Sequence, residues 1–400
     1  MRKAGSPPAL TTLYLLAAMS PLTLNMIVPS LANIARDLRA DYAIISLALG
    51  GYLAVTAFVE LGVGPLSDRI GRRPVLLAAL AVFTVASLGC AMAQSAETFL
   101  AFRMLQAGAI SGYVLSMAIV RDTQEGAEVA GLLGRIGMAM ALAPMVGPML
   151  GSVLDVAFGW RAIFLLYVTV GAALLCLAWF DLGETMRRRS EEEDPEEQRL
   201  TQLLSEPIFW CYALCTAFSI GAFYVFLAGA PLIATSVFGI TTATLGLFVG
   251  SITAGFMFGS FLTSRLVSRY ALSSVMLAGR VVACAGMLIG LAVLASGMVT
   301  PLLYFGCTIF VGVGNGLTTP NSNAGAMSVR PRLAGSAAGI TGALTLSGGA
   351  LMATVTGFLL ADSPSPQGLL ILMLIASFAG LLAAIVAIRL EKKAVKRRTT

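Results

Sequence analysis

The sequence contains no histidine. Ser-His-Asp hydrolysis and histidine-based metal sites are excluded with it. Charge is scarce as well. Lys, Arg, Asp and Glu make up 12% of the 400 residues, about half the roughly 25% of an ordinary soluble chain. A soluble fold could not cover its surface with so few. Acid is scarcer still, and none occurs between Pro207 and Ala361. The 6 cysteines are too sparse for a disulfide scaffold. All fall in apolar runs; Cys211 and Cys215 share a helix face, but two thiols without further ligands make a poor metal site. They read as small apolar residues. No Gly-Lys-Ser/Thr phosphate loop occurs, so ATP is not the energy source. No cofactor is implied.

What is present is apolar sequence. Hydrophobic residues reach 58% and mean hydropathy is +0.87, which excludes disorder. The net charge of +6 does not point to nucleic acid, because the basic residues sit in short loops and tails and form no face. A helix needs about 20 apolar residues to cross hydrocarbon. Twelve such runs are legible, near 12–34, 43–66, 75–94, 98–120, 129–154, 161–181, 207–234, 241–264, 272–296, 300–324, 334–361 and 367–389. They are continuous, unlike the short alternating strands of a membrane barrel. The 42 glycines suit helices packed closely through small residues. The first run resembles a signal peptide in having Arg2 and Lys3 before it. It is longer than a usual leader core and reads as a retained span.

The basic residues set the expected orientation. With the N-terminus in the cytoplasm, Arg36, Arg39 and Arg161 fall outside, Arg103 and Arg280 fall within spans, and the rest of the 26 Lys and Arg fall inside. That is a strong positive-inside bias, with both termini cytoplasmic and the protein in the inner (plasma) membrane. The stretch 183–206, with Arg187–Arg189 followed by six acids, reads as a solvated cytoplasmic linker. It separates a six-helix bundle over 1–182 from a second over 207–400 that ends in a basic tail. The halves echo each other. Ser67–Pro74 recurs as Ser264–Ala271, and Gly147, Pro148 and Gly151 in the fifth run answer Gly342, Gly348 and Gly349 in the eleventh. Twelve spans in two related halves is the pattern of a secondary transporter. The fold class expected is all-α and polytopic, in two pseudo-symmetric bundles.

The second and third runs are joined by Gly64-Pro-Leu-Ser-Asp68-Arg69-Ile-Gly71-Arg72-Arg73-Pro74. Gly64 and Gly71 permit tight helix ends and close backbone approach. Asp68 can pair with an Arg in one state and release it in another. Arg121-Asp122 closes the fourth run, and Asp122 reads as a gate partner for this loop. The loop resembles the signature of the major facilitator superfamily. Arg103, Gln106 and Gly108 resemble its second motif, and an Arg inside a span should face a cavity or a partner. Pro144, Gly147, Pro148 and Gly151 resemble the helix-bend motif that marks its antiporters; on physics alone, paired Gly-Pro steps bend a helix and allow close packing. Phe158–Phe164, Glu184-Thr185 and Pro331–Ala337 narrow the resemblance to the Bcr/CflA drug-resistance transporters, including chloramphenicol and florfenicol exporters. The resemblance runs over nearly all of the chain and is more specific in the N-terminal half.

One departure is instructive. Those exporters commonly carry an acid in the first span, before an apolar-Pro step. Here Leu24–Pro29 puts Asn25 in that place, and Asn cannot carry a proton. The second span instead has Glu60, the one acid placed well inside a run. A carboxyl in low dielectric favours its protonated form, and an ionised side chain at a span centre costs about 2.5–3.5 kcal/mol or more. Glu60 is therefore the candidate proton-coupling residue. The alternative is a structural acid, either neutral or paired with Arg103 or the gate arginines.

The resemblance implies a cavity lined chiefly by the first, fourth, seventh and tenth spans. That makes Tyr14, Asn25, Met26, Arg103, Tyr113, Phe223, Tyr224, Phe226, Asn315 and Asn321 candidate substrate contacts. Met and aromatic side chains can repack around varied apolar guests. Arg280 is expected to snorkel toward the cytoplasmic surface. The absence of a dense set of fixed charges argues against phosphate, nucleotide or dicarboxylate substrates and for a neutral or weakly cationic lipophilic molecule. The reading is a monomeric, proton-coupled drug exporter in the lipid bilayer. A transporter of an endogenous metabolite is the alternative, and neither an enzyme constellation nor a receptor output domain is legible.

Overall fold

In hydrocarbon the backbone must satisfy its own hydrogen bonds, and a continuous apolar run does so as a helix. The structure, a computed structural model, describes residues 8–123, 127–185, 201–297, 300–330 and 333–399. Twelve long helices follow the twelve apolar runs. They are α1 (Leu10–Asp37), α2 (Tyr42–Ile70), α3 (Arg72–Met92), α4 (96–123), α5 (Ala127–Phe158), α6 (Arg161–Asp181), α7 (Pro207–Ser236), α8 (Thr242–Leu266), α9 (Leu272–Ala295), α10 (Pro301–Ser328), α11 (Ala334–Ala361) and α12 (Pro366–Thr399). Eleven contain a stretch long and apolar enough to cross a membrane, and α5 contributes a shorter apolar piece, Val146–Phe158. The protein is a multi-pass membrane protein.

Two helices are interrupted by short 3-10 turns. In α1 a 3-10 turn at Val28–Ser30 begins around Pro29, whose ring removes a backbone donor. In α4 a 3-10 turn at Gln106–Ala109 separates the segment carrying Arg103 from Ile110–Thr123. Helix α5 runs unbroken through Pro144 and Pro148.

The chain divides into two compact units, Met1–Arg189 with Ile240–Gly250, and Ser190–Gly239 with Ser251–Thr400. The start of α8 thus groups with the first unit, where a Cβ on Gly246 would meet the Pro148 carbonyl and Ser152. Each unit contains close helix crossings at glycines, and one of them recurs in both. In the first, α5 lies on α1: a Cβ on Gly151 would collide with the Met26 carbonyl oxygen, and one on Gly147 would sit 3.2 Å from the Asn25 Cβ. In the second, α11 lies on α7, where Gly349 is covered by the Tyr224 ring. The fifth and eleventh runs do the same packing job in their own units. Of the proposed linker, 186–200 lies outside the described residues.

One end of the first unit is tied by the residues that open α6. Arg161 Nη1 meets Asp37 Oδ2 at 2.5 Å, Trp160 Nε1 donates to the same oxygen at 3.2 Å, and Arg161 Nη2 donates to the Ala93 carbonyl at 3.0 Å. One short sequence therefore pins the ends of α1, α3 and α6.

Candidate functional site

The Gly64–Pro74 segment folds as the end of α2, a single-residue turn and the start of α3. Gly71 makes that turn at φ +110°, a conformation that side-chain-bearing residues rarely adopt. A Cβ there would also strike the Glu184 carboxylate. Gly64 behaves otherwise. It lies inside α2 with nothing within 4 Å of a would-be Cβ, so the close approach expected at Gly64 is absent, because the helix continues past it to Ile70.

Arg72 is the centre of the charge cluster. It is largely buried, with its side chain 11% exposed. Nη1 lies 2.6 Å from Asp68 Oδ1 one helical turn back, and Nε lies 3.0 Å from Asp122 Oδ2 at the end of α4. Nη1 also donates to Ser67 Oγ at 2.5 Å. The geometry joins α2, α3 and α4 through one guanidinium. Arg73 points the other way: its Nη2 donates to the Trp179 carbonyl at 3.0 Å and its guanidinium lies 5.3 Å from the Trp179 ring centroid. Arg69 is exposed, and the side chain of Arg121 lies outside the described residues. Sequence reasoning missed Glu184. Its Oε1 accepts from the Arg72 backbone N–H at 2.9 Å and its Oε2 from that of Arg73 at 3.3 Å. A carboxylate there satisfies orphan donors and complements the helix dipole at the start of α3. The Glu184-Thr185 pair held the signal, but only the fold brings it 112 residues back to Arg72.

Inside the first unit, Arg103 is fully buried. Nε donates to the Ala48 carbonyl (3.1 Å), Nη1 to Gln106 Oε1 (2.8 Å) and Nη2 to the Thr23 carbonyl (3.1 Å). Its guanidinium lies 4.1 Å from the Tyr52 ring centroid. Gln106 Nε2 donates onward to Ser87 Oγ at 2.8 Å, and Tyr167 Oη to the Thr23 carbonyl at 3.1 Å. Arg103 is thus bonded to backbone and amide oxygens of α1, α2 and α4, with no carboxylate partner among the described residues.

Asn25 is buried on α1. Its Nδ2 donates to the Pro21 carbonyl at 2.7 Å, and its Oδ1 has no hydrogen-bond partner among the described residues. Tyr14 Oη is likewise buried without a partner among them. Glu60 is half-buried on α2 between Val59 and the exposed Leu61. Among the described residues it has no ion pair or hydrogen bond; Arg103 and Arg72 bond elsewhere.

Not every candidate stands at an open surface. Met26 is fully enclosed beneath Gly151, and Phe226 is fully enclosed against Phe305 at 6.1 Å between ring centroids. Both serve helix packing within their own units. Tyr113 is half-buried on α4. Phe223 is half-buried and tilts against Tyr224 at 6.0 Å. Asn321 Nδ2 donates to the Leu317 carbonyl at 2.6 Å. Asn315 Oδ1 accepts from Arg280 Nη2 at 2.6 Å. Arg280 does not snorkel. It is fully buried on α9, because Asn315 and Thr318 of α10 hold its guanidinium inside the unit.

Comparison with known proteins places this arrangement. Residues 13–353 match the family model of the Major Facilitator Superfamily. A chloramphenicol resistance protein of Pseudomonas aeruginosa is 34% identical over 267 residues, 65% of this chain and 62% of that protein, so the match spans less than two thirds of that relative's length. Multidrug resistance protein D of Escherichia coli (strain K12) is 27% identical over 381 residues, 94% of both chains. Among solved structures, a bacterial homolog of the human lysosomal transporter Spinster, in an inward-facing and occupied conformation, matches with a TM-score of 0.77. It is 16% identical and the match covers 95% of this chain and 96% of that one, which is a likeness of fold. Signature loop, buried arginine, helix crossing and comparison agree: this chain belongs to the major facilitator superfamily and is a multi-pass membrane transporter.

Proposed function

We propose that the protein exports lipophilic drugs of phenicol-like character from the cytoplasm in exchange for protons, by alternating access. The observation that carries the proton coupling is Glu60. It is the one acidic residue away from the ends of the membrane-crossing segments, and it is half-buried without a partner among the described residues. A carboxyl so placed gains and loses a proton without breaking a salt bridge. The names of the relatives support the drug reading. The sparse charge within the apolar runs supports an uncharged cargo.

The remaining residues take roles around that exchange. Asp68, Arg72 and Asp122 form a latch at the cytoplasmic end, closed while Arg72 holds both carboxylates and opened when α2 and α4 part. Gly64, Arg69, Gly71, Arg73 and Arg121 shape and charge the same end. Pro144, Gly147, Pro148 and Gly151 let α5 ride on α1. Tyr14, Asn25, Tyr113, Phe223, Tyr224, Asn315 and Asn321 offer aromatic and amide contacts to the cargo. Arg103 braces α1, α2 and α4 behind them. The protein acts as a monomer in the inner membrane, with both termini cytoplasmic.

Expression in a bacterium stripped of its own drug exporters tests the drug reading. Resistance to chloramphenicol should rise several-fold and its steady-state accumulation should fall. Unchanged resistance and accumulation across lipophilic antibiotics overturns the drug assignment in favour of a metabolite.

A further inference from the structure

The second unit holds a charge that the transport reading leaves unused. Arg280 is fully buried on α9. Glycines make the room. Gly279 of α9 and Gly314 of α10 face each other so closely that a Cβ on either would run into the other's carbonyl oxygen. Gly380 of α12 lies beside the arginine stem, whose Cδ is 3.2 Å from the place a Cβ would take. At this crossing Nε donates to Thr318 Oγ1 at 2.9 Å and Nη2 to Asn315 Oδ1 at 2.6 Å. Nη1 is buried and has no hydrogen-bond partner among the described residues. Arg103 differs, since all three of its guanidinium nitrogens are engaged.

Among the described residues no carboxylate answers Arg280. The sequence has no acid from Pro207 to Ala361. Of the described acids around that stretch, Glu206 pairs with Arg330, Asp362 caps the end of α11 and Glu391 accepts from Tyr212 Oη. A guanidinium keeps its charge at any pH the cell reaches. A buried cation without a counter-ion sets up a positive potential that its low-dielectric surroundings screen weakly. Burying such a charge is costly, and a charge kept inside a membrane span marks function by default.

We propose that Arg280 determines the charge class of the cargo: it turns lipophilic cations away from the Asn315 face of α10 and admits neutral or anionic molecules of the same shape. The inference rests on the reading above in which Asn315 meets the cargo. Arg280 also sets the polarity of that contact. With Oδ1 turned to the guanidinium, Asn315 has its Nδ2 donors left for the cargo, which suits a carbonyl or nitro oxygen.

The test is equilibrium binding to the purified full chain of tetraphenylphosphonium and tetraphenylborate, two ions of one shape and opposite sign, beside uncharged chloramphenicol. Wild type should favour the anion by about tenfold or more, the discrimination expected between unit charges several ångströms apart at an effective dielectric near 20. Arg280→Gln should bring the ratio of the two affinities close to one. Arg280→Lys should keep most of it, a rescue that depends on charge and not on packing. Chloramphenicol affinity should move far less in Arg280→Gln than the ion ratio does. A preference of wild type for the cation, or a ratio unchanged in Arg280→Gln, overturns the proposal. If Arg280→Gln does not fold, the wild-type ratio decides alone. An ion ratio that behaves as expected while chloramphenicol fails to bind upholds this inference and removes the phenicol reading.

Discussion

Single atoms decide several functions in this chain. Gly151 has no room for a methyl group, because the Met26 carbonyl oxygen occupies the place. Gly64 has open space around it. Gly151→Ala should therefore lower stability by about 1–3 kcal/mol through overpacking, and Gly64→Ala should be neutral or gain about 0.5–1 kcal/mol, the helical advantage of alanine. Thermal unfolding of the two purified variants in detergent checks the pair, and equal loss in both contradicts the packing account. The sequence spacing singled out both glycines but could not rank them, since the neighbour at Gly151 comes from a helix more than a hundred residues earlier. Arg280 shows the same limit. Its position in a run suggested a side chain reaching for the surface. What holds it inside is a pair of polar residues, Asn315 and Thr318, on the next helix. Glu60 was legible because it is an acid alone in a long apolar run.

At the scale of elements, the charge cluster ties three helices through Arg72. Reversing Arg72 to Asp, or Asp122 to Arg, places like charges together in the largely buried cluster and should cut transport by about tenfold or more, on the scale of one to two kcal/mol for a lost partly buried pair. Combining both reversals should restore part of the activity. Restoration stays partial because the new Asp at position 72 then faces Asp68, its partner in the native cluster at 2.6 Å. Uptake assays on the two singles and the double check this, and a double variant no better than either single contradicts a direct pair. The capping of α3 by Glu184 gives a second test at this scale. Glu184→Gln removes the charge from the helix start and should cost about 0.3–1 kcal/mol, read as a small drop in melting temperature. Runs, their order and the loop residues were legible from hydropathy and charge. The 3-10 interruption at Gln106–Ala109 was not, and neither was the cap from Glu184, which the segment after α6 brings to a helix start 112 residues earlier.

For the whole molecule, the proposed direction of transport rests on topology. The excess of basic residues in alternate loops and at the ends predicts that both termini lie in the cytoplasm. Reporter fusions check it. A fluorescent protein joined after Arg398 should fold and fluoresce, while alkaline phosphatase inserted at Arg39–Asp41, between α1 and α2, should be active outside. The reverse pattern contradicts the orientation. The two-bundle plan was legible as internal echoes, and the crossings of α5 on α1 and of α11 on α7 are the physical form of one echo, Gly147 and Gly151 answered by Gly349. The grouping of Ile240–Gly250 with the first unit left no trace in the sequence, because Gly246 looks like any other small residue in an apolar run.

The central claim is that proton movement through Glu60 drives export. The direct measurement is chloramphenicol transport by the protein reconstituted in liposomes under an imposed pH gradient, with wild type beside Glu60→Gln. The account predicts movement in wild type that stops when the gradient is dissipated, and none driven by the gradient in Glu60→Gln, with the variant inserted and folded as wild type. Gradient-driven transport retained in Glu60→Gln would contradict it.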